Sequence, residues 1–124
     1  MSDIAKKILV VDDEPDIVDY LRVVLEQAGY HVTTASNGHE ALERVAAIRP
    51  DLVVLDQMMP LMDGLETLRR LKSDESTKDI PVVTLTAQDS AADMQSGWKS
   101  GTDLYLLKPI LRADLLDYVE CILG

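Results

Sequence analysis

The sequence predicts an α/β protein whose sheet is parallel and doubly wound, with helices on both faces. Two observations support this prediction. Short apolar runs alternate with longer amphipathic segments five times along the chain, and the run Leu52–Leu55 is apolar at every position. A strand that is apolar on both sides is buried on both sides, which is typical of a parallel sheet between helix layers. Strands alternating with helices through right-handed crossovers then give a doubly wound sheet.

The five predicted strands are short apolar runs, each followed by a polar or amphipathic segment. They are Ile8–Val11, Val32–Ala35, Leu52–Leu55, Val82–Leu85 and Leu104–Leu107. The third run is the clearest of the five, and the second is the weakest.

The first predicted helix, Pro15 to Ala28, has apolar residues at helical spacing between a start signal and a stop signal. Its inward stripe is Ile17, Leu21, Val24 and Ala28. We expect Asp13 to cap this helix, Pro15 to lie in its first turn and Gly29 to end it.

Four further helices are predicted after the later strands. The second is Glu40–Ile48, and the third begins at Asp63 and Glu66 in a capping-box pattern. The fourth is capped by Ser90 and Asp93 and ends at Gly97 or Gly101, and the fifth is Leu111–Leu123.

Five strand–helix units without a repeat or a linker predict one domain over residues 1–124, with five strands and five helices. The natural arrangement is the flavodoxin-like strand order 2-1-3-4-5. A Rossmann sheet is the alternative, but its six strands would not fit comfortably in 124 residues. The single cysteine, Cys121, excludes an internal disulfide, and we expect it to be a small core residue of the last helix.

The chain is acidic, with 12 basic against 22 acidic residues and a formal net charge of −10. Such a charge repels nucleic-acid phosphates and anionic lipid, so we expect this domain to bind neither directly. We find neither an apolar run of the roughly 18 residues that a membrane span requires nor the apolar stretch of a signal peptide. The expected location is the cytoplasm.

Acidic residues follow two strands that the predicted order makes neighbours. Asp12, Asp13 and Glu14 follow the first strand, and Asp56 follows the third. Such sheets bind ligands beyond the carboxyl ends of the strands where the strand order reverses, which here is between these two. Each acid taken singly is better explained as a cap or a turn residue. Their coincidence indicates a cation site, and hard oxygen ligands suit Mg²⁺.

The fourth and fifth strands end in residues that add the remaining parts needed for phosphoryl transfer. Thr86 ends the fourth strand with a hydroxyl, and Lys108 ends the fifth with a cation. A hydroxyl and a cation around a carboxylate–metal centre are the groups that stabilise a transferring phosphoryl group.

Four segments together resemble the receiver domain of bacterial two-component response regulators, the CheY-like superfamily. They are residues 10–14 (VVDDE), 55–64 (LDQMMPLMDG), 85–87 (LTA) and 101–109 (GTDLYLLKP). The resemblance covers nearly the whole chain, in order and with consistent spacing. It implies a phosphorylation-controlled signalling protein rather than an enzyme, although one that catalyses its own phosphotransfer and autodephosphorylation.

The resemblance also assigns the reacting group and the metal ligands. Asp56 would be the phosphoacceptor, taking its phosphoryl group from a phosphohistidine on a partner. Mg²⁺, for which Mn²⁺ could substitute, would be bound by Asp13 directly, by Asp12 through water, by Asp56 and by the backbone carbonyl of Met58.

Around the phosphoryl group the resemblance implies binding by Lys108, the Thr86 hydroxyl and the Ala87 amide. Tyr105 would be a rotamer switch that follows Thr86, with an ordinary half-buried strand aromatic as the alternative. The face formed by the fourth predicted helix, the fifth strand and the fifth helix would then change shape. Trp98 lies on or near that face.

The lifetime of the phosphorylated state is expected to depend on Met58 and Gln88, two residues past Asp56 and Thr86. Met58 offers no hydrogen bond to an attacking water, so we expect a long lifetime.

The implied partners are a histidine kinase or phosphotransfer protein, and an output protein or domain. The acidic segment Asp114–Glu120 differs from the basic helix of receivers that continue into a winged-helix DNA-binding domain. Leu111 stands where the family often has a capping residue, so we expect an irregular start to the last helix. A phosphorylation-dependent dimer is compatible with the sequence, which identifies neither the kinase nor the output pathway.

Three other functions fit the sequence less well. A haloacid-dehalogenase-like aspartyl phosphatase needs an aspartate where this chain has Met58. A flavin or nucleotide binder needs a phosphate loop where the acids of residues 12–14 would repel a phosphate. A pseudo-receiver would lack part of the residue set. His31 and His39 are expected to be ordinary surface residues.

Overall fold

The sheet of this protein has five parallel strands in the order β2-β1-β3-β4-β5. The computed structural model describes residues 5–56, 64–86, 101–108 and 110–124. The strands are β1 (Lys7–Val11), β2 (His31–Ala35), β3 (Leu52–Asp56), β4 (Val82–Thr86) and β5 (Leu104–Leu107), and the helices are α1 (Pro15–Gln27), α2 (Gly38–Ile48), α3 (Gly64–Ser73) and α4 (Arg112–Leu123). The predicted fold class and strand order are confirmed.

The described part of the chain has four helices, and the fourth of the five predicted helices lies outside it. That helix was predicted from Ser90 and Asp93, so α4 corresponds to the last predicted helix. The predicted capping residue Asp63 also lies outside the described residues. No helix within residues 5–56, 64–86, 101–108 and 110–124 has the length and apolarity that a membrane crossing requires.

Two apolar cores form because alternate side chains of the buried strands point to opposite faces of the sheet. All residues of β3 and β4 are buried. One core packs β-strand residues against α1 and α4, and it contains Ile8, Val10, Leu21, Val24, Leu25, Leu52, Val54, Val83, Leu85, Leu115 and Val119. The other packs the opposite face against α2 and α3, and it contains Leu9, Val11, Ala35, Ala41, Val45, Val53, Leu55, Leu68, Leu71 and Val82. Each large apolar side chain buried in this way stabilises the fold by about 1.5–3 kcal/mol.

The start of α1 differs from the prediction that Asp13 caps it. The N-cap residue is Glu14, which makes no side-chain cap, and Pro15 takes the first helical position as expected. Asp12 Oδ1 instead accepts the Glu14 N–H at 3.0 Å, which fixes the turn between β1 and α1. The carboxylate of Asp13 is therefore not consumed by helix capping.

The end of α1 is the predicted one. Gly29 has a φ of +99°, in the left-handed region. Its N–H donates to Glu26 O at 3.0 Å, and the Tyr30 N–H donates to Leu25 O at 3.1 Å. This is the Schellman pattern that glycine favours at helix ends.

The last helix, α4, starts after Leu111, which supplies no side-chain cap, as expected. The prediction that Cys121 is a core residue is wrong, because its thiol is exposed. Leu115 and Val119 form the buried side of α4, and position 121 falls on another side at 3.6 residues per turn.

A lysine–aspartate group ties together the amino ends of β4 and β5. Lys72 Nζ donates to Ile80 O and Asp103 Oδ2, both at 2.8 Å, and to Lys78 O at 3.3 Å. Asp103 Oδ2 also accepts the Val82 N–H at 2.8 Å. We call these groups the amino-edge clamp, and they fix the base of the strand that leads to Lys108.

Candidate functional site

Three carboxylates meet at the carboxyl ends of β1 and β3, which are paired neighbours. Ligand oxygens of Asp12, Asp13 and Asp56 all lie within 4.8 Å of one another. Asp12 is 1% exposed and Asp56 is 4% exposed, whereas Asp13 lies on the exposed rim. The structure thus brings together the acids that the strand-end argument placed in one crevice.

Lys108, which directly follows β5, reaches into this crevice. Its Nζ atom lies 2.9 Å from Asp12 Oδ2, 3.1 Å from Asp56 Oδ1 and 3.7 Å from Glu14 Oε1. Burial by itself would lower the pKa of Lys108, but the hydrogen bond to Asp12 and the negative charge of Asp56 outweigh it and raise the pKa above 10.5. The ammonium is therefore charged at neutral pH. We call Asp12, Asp13, Asp56 and Lys108 the carboxyl-edge cluster.

The charges of the carboxyl-edge cluster do not balance. Three carboxyl side chains share one ammonium in a small and partly buried volume, and Glu14 Oε1 lies 3.7 Å from the same ammonium, so acidic groups outnumber the cation. Placing charges together in this way is unfavourable unless a cation joins them. A divalent cation has the missing charge, and a set of carboxylate oxygens is the donor set that Mg²⁺ prefers. The residues present therefore fit a magnesium ion.

Thr86 and Tyr105 lie on one face of the sheet beside the cluster. Thr86 ends β4, is fully buried, and its carbonyl accepts the Lys108 N–H at 2.7 Å. Tyr105 is paired with Thr84, and residues 84 and 86 share a face because strand side chains alternate. Tyr105 is 7% exposed, so it is more deeply buried than the half-buried aromatic considered as the alternative.

Several residues that the sequence marked lie outside the described part of the chain. They are Met58, Ala87, Gln88 and Trp98. His31 and His39 are exposed, as expected, and neither belongs to the acidic cluster.

An apolar cavity beside Lys108 was missed by the sequence analysis. Its volume is about 320 Å³, and its apolar lining is Ile17, Tyr20, Leu21, Leu85, Ile110 and Leu111. Leu111 is 67% exposed and Tyr20 is 40% exposed at its mouth. The signal that could have found it is the apolar pair Ile110–Leu111 so soon after the lysine, at a helix start where a polar cap is usual.

The sequence of this chain matches the family described as "Response regulator receiver domain" over residues 8–120. The chain belongs to this family. It is 44% identical over 117 residues to response regulator MprA of Mycolicibacterium vanbaalenii, and 43% identical over 118 residues to the alkaline phosphatase synthesis transcriptional regulatory protein PhoP of Bacillus subtilis. These alignments cover 94% and 95% of this chain but only 50% and 48% of the relatives. The chain spans about half the length of the curated relatives it matches.

Solved receiver structures resemble the fold over its whole length. Chemotaxis protein CheY4 of Vibrio cholerae has a TM-score of 0.91 at 32% identity, over 96% of this chain and 99% of that one. The N-terminal domain of a response regulator receiver protein from Methanoculleus marisnigri has a TM-score of 0.77 at 46% identity, over 95% of this chain and 96% of that one.

The receiver family functions in two-component signalling, where its members are phosphoacceptors, and this chain is such a receiver. The family resemblance drawn from four sequence segments is confirmed. Receivers bind Mg²⁺ at an acidic pocket, and Asp12, Asp13 and Asp56 form an acidic pocket here.

Proposed function

We propose that residues 1–124 act as one receiver unit in which Asp56 takes a phosphoryl group from a histidine kinase or a phosphotransfer protein. The observation that carries this proposal is the position of the Asp56 carboxylate. It is buried at the end of β3, 3.1 Å from the Lys108 ammonium, and within 4.8 Å of the Asp12 and Asp13 oxygens.

Asp56 is a better phosphoacceptor than Asp12, its buried neighbour. Asp12 uses one oxygen to accept the Glu14 N–H and the other to accept the Lys108 ammonium. Those bonds fix the β1–α1 turn and orient the lysine, so Asp12 is suited to a supporting role. Asp13 is exposed on the rim, where it can ligate a cation without a large desolvation penalty.

The reaction is a displacement at phosphorus. An Asp56 carboxylate oxygen bonds to the phosphorus, the bond from phosphorus to the donor imidazole nitrogen breaks, and the imidazole leaves with the electron pair. Lys108 offsets the charge of the incoming phosphoryl oxygens. Asp13, Asp56, the Met58 carbonyl and, through water, Asp12 would hold Mg²⁺, which would supply positive charge to the site.

The phosphodonor docks beside Lys108 in this proposal. The mouth of the apolar cavity exposes Tyr20 and Leu111, and such exposed apolar side chains suit an apolar helix face of a partner. The acidic surface of the chain, with its net charge of −10, favours a donor with a basic rim.

The signal leaves through Thr86 and Tyr105. Phosphorylation adds roughly −1.5 to −2 charges and three acceptor oxygens at Asp56, which draw the Thr86 hydroxyl and the Ala87 amide inward. Tyr105 lies on the same sheet face as Thr86 and follows it. The face formed by β5, α4 and the helix predicted at Ser90 then presents a changed surface to an output protein or domain, or to a second copy of the chain.

The phosphorylated state decays by the domain's own hydrolysis, with Met58 and Gln88 as the gate for water. We place this cycle in the cytoplasm, and the net charge of −10 disfavours direct nucleic-acid contact by this domain.

The proposal is tested by labelling with a small phosphodonor. The protein is incubated with acetyl phosphate and Mg²⁺, and the phosphoryl group is counted by intact-mass spectrometry. We expect one group in the parent, none in Asp56→Asn, and none after chelation of Mg²⁺. Asp51→Asn, at the other end of β3, is the matched control and should be labelled like the parent. Equal labelling of Asp56→Asn and the parent would overturn the proposal.

A further inference from the structure

We propose that the hydroxyl of Tyr20 is a positioning group for Lys108. It holds the segment that follows β5 against α1, so that the Lys108 ammonium reaches Asp12 and Asp56. This inference rests on the proposed function in one respect, namely that Lys108 contacts the transferred phosphoryl group.

The position of β5 in the sheet creates the need for such a group. Strands of a sheet lie about 4.8 Å apart, so β5 is about 10 Å from β3 and about 14 Å from β1 along the order β2-β1-β3-β4-β5. Lys108 nevertheless contacts Asp56 at the end of β3 and Asp12 at the end of β1. The long lysine side chain covers this distance, so a shift of the Lys108 backbone away from β1 would lengthen both contacts.

Two hydrogen bonds hold this segment from opposite sides. The Lys108 N–H donates to Thr86 O at 2.7 Å, which continues the pairing with β4. Two residues later the Tyr20 hydroxyl donates to Ile110 O at 3.1 Å. Because α1 comes after the turn that contains Asp12, this second bond ties the segment to the element next to Asp12.

Ile110 packs against the core that β1, α1 and α4 share, but the packing of this segment is incomplete. The cavity of about 320 Å³ lies between α1 and this segment, and Lys108, Ile110 and Leu111 all line it. A cavity wall lacks the close contacts that fix side chains in a protein interior. Leu111 is also 67% exposed. The Tyr20 hydroxyl bond is therefore a directional restraint on this segment in addition to the packing of Ile110.

The test compares Tyr20→Phe with Tyr118→Phe. Both tyrosines are 40% exposed, so the two changes remove equally exposed hydroxyls, but Tyr118 lies on α4 and makes no contact with the Lys108 segment among the described hydrogen bonds. Acetyl phosphate is used as donor, because a protein donor would contact Tyr20 itself. We expect Tyr20→Phe to slow labelling roughly threefold to tenfold, the equilibrium effect of one hydrogen bond, and Tyr118→Phe to leave the rate unchanged.

Two further measurements separate positioning from a general structural role. The Mg²⁺ dissociation constant of Tyr20→Phe should stay within about twofold of the parent value, because the metal ligands lie at the ends of β1 and β3. Loss of a ligand bond at the metal site would change the dissociation constant by more than twofold. In a Lys108→Met background, whose labelling is slow, Tyr20→Phe should have no additional effect. In the protein without Mg²⁺ or donor, the NMR signals of the Lys108 ε-methylene should shift in Tyr20→Phe and not in Tyr118→Phe.

Each outcome decides the matter. A parental labelling rate in Tyr20→Phe, an equal loss in the Lys108→Met background, or unmoved ε-methylene signals would overturn the inference. Failure of the proposed function has a different signature, since the parent itself would then show no labelling that depends on Asp56. In that case the NMR comparison still tests whether Tyr20 positions Lys108.

Discussion

Two lysine–aspartate groups occupy opposite ends of the same sheet, and they differ in how completely their bonds are used. In the amino-edge clamp, Lys72 donates to three oxygen atoms, and its aspartate partner, Asp103, also accepts the Val82 N–H. One positive charge faces one negative charge. In the carboxyl-edge cluster, one ammonium is shared by three carboxyl groups, and Glu14 lies nearby as a further acid.

The difference indicates which group is structural and which is a binding site. A lysine whose three N–H donors are all used, next to one carboxylate, is a closed arrangement that stabilises the fold. An arrangement with surplus charge of one sign is stabilised only when a ligand arrives. Distance alone would not separate the two groups, because the Lys72–Asp103 contact of 2.8 Å and the Lys108–Asp12 contact of 2.9 Å are nearly equal.

The largest expected effect is on stability when the amino-edge clamp loses its ammonium. Lys72→Met keeps the apolar stem that packs at Gly101, where a Cβ would lie 3.1 Å from Lys72 Cγ. It should lower the free energy of unfolding by about 2 kcal/mol, because several hydrogen bonds to a charged group are lost. Denaturant unfolding measures this, with Lys78→Met as the control, since the Lys78–Glu75 pair is exposed and contributes little. Equal stability of Lys72→Met and Lys78→Met would contradict the closed character of the clamp.

The second effect is the stabilisation of the carboxyl-edge cluster by metal. At ten times its dissociation constant, Mg²⁺ should raise the free energy of unfolding by about 1.4 kcal/mol. Lys72→Met should gain the same amount at that ratio, because the clamp is at the other end of the sheet. Asp13→Asn should gain much less at the same Mg²⁺ concentration. A gain in Asp13→Asn that matches the parent would remove Asp13 from the ligand set.

A smaller effect on the free energy of unfolding is expected from an Asp→Asn change at each end of the sheet, and its sign should differ between the two ends. Without Mg²⁺, Asp13→Asn relieves repulsion among the three carboxylates and should raise the free energy of unfolding by about 0.5–1 kcal/mol. Asp103→Asn removes the charge that balances Lys72 and should lower it by a similar amount. Unfolding in chelator at low salt measures both. If both variants changed the free energy of unfolding in the same direction, the difference in charge balance between the two groups would be contradicted.

The smallest effect concerns the turn that presents Lys78 O to the clamp. The Ser76 N–H and then the Ser76 hydroxyl donate to Asp74 and hold the pKa of that carboxyl below 3.8. A carboxyl group whose pKa is lower in the folded state than in the unfolded state stabilises the fold at pH values above the unfolded-state pKa. This stabilisation is lost as the pH falls through the folded-state pKa. NMR titration should show Asp74 titrating below pH 3.8, with Ser76→Ala restoring only part of the shift because the backbone donor remains. A parental titration at or above 3.8 would refute the assignment.

The fold and the centre of the site were accessible from the sequence because both follow from local patterns. Apolar runs fixed four strands to within one residue at either end, and β5 matched its prediction at both ends. Asp12 and Asp56 met because the carboxyl ends of neighbouring parallel strands always meet. The position of Lys108 beside the carboxylates was predicted from its place at the end of the fifth strand, whereas its direct contacts with Asp12 and Asp56 were not predicted.

What the sequence did not show depends on contacts between distant segments or on competition at a helix end. Lys72 and Asp103 are 31 residues apart. Asp103 lies in the segment 101–109 that carries the family resemblance, but the resemblance assigned it no role. The expected Asp13 cap failed because Glu14 takes the N-cap position before Pro15. The error at Cys121 was avoidable, since the stripe through Leu115 and Val119 excludes position 121 from the buried side of the helix.

The edge position of β5 has a consequence for hydrogen exchange. Both carboxylate-bearing strands, β1 and β3, have two strand neighbours, whereas β5 is paired only with β4. Local opening of an edge element requires less free energy than opening of a central one, so the cation can leave the crevice while the anions stay. Amides of residues 104–107 should accordingly exchange faster than those of β1 and β3. Each such opening leaves the carboxylates of Asp12, Asp13 and Asp56 without their ammonium for its duration, which strengthens their attraction for a metal ion.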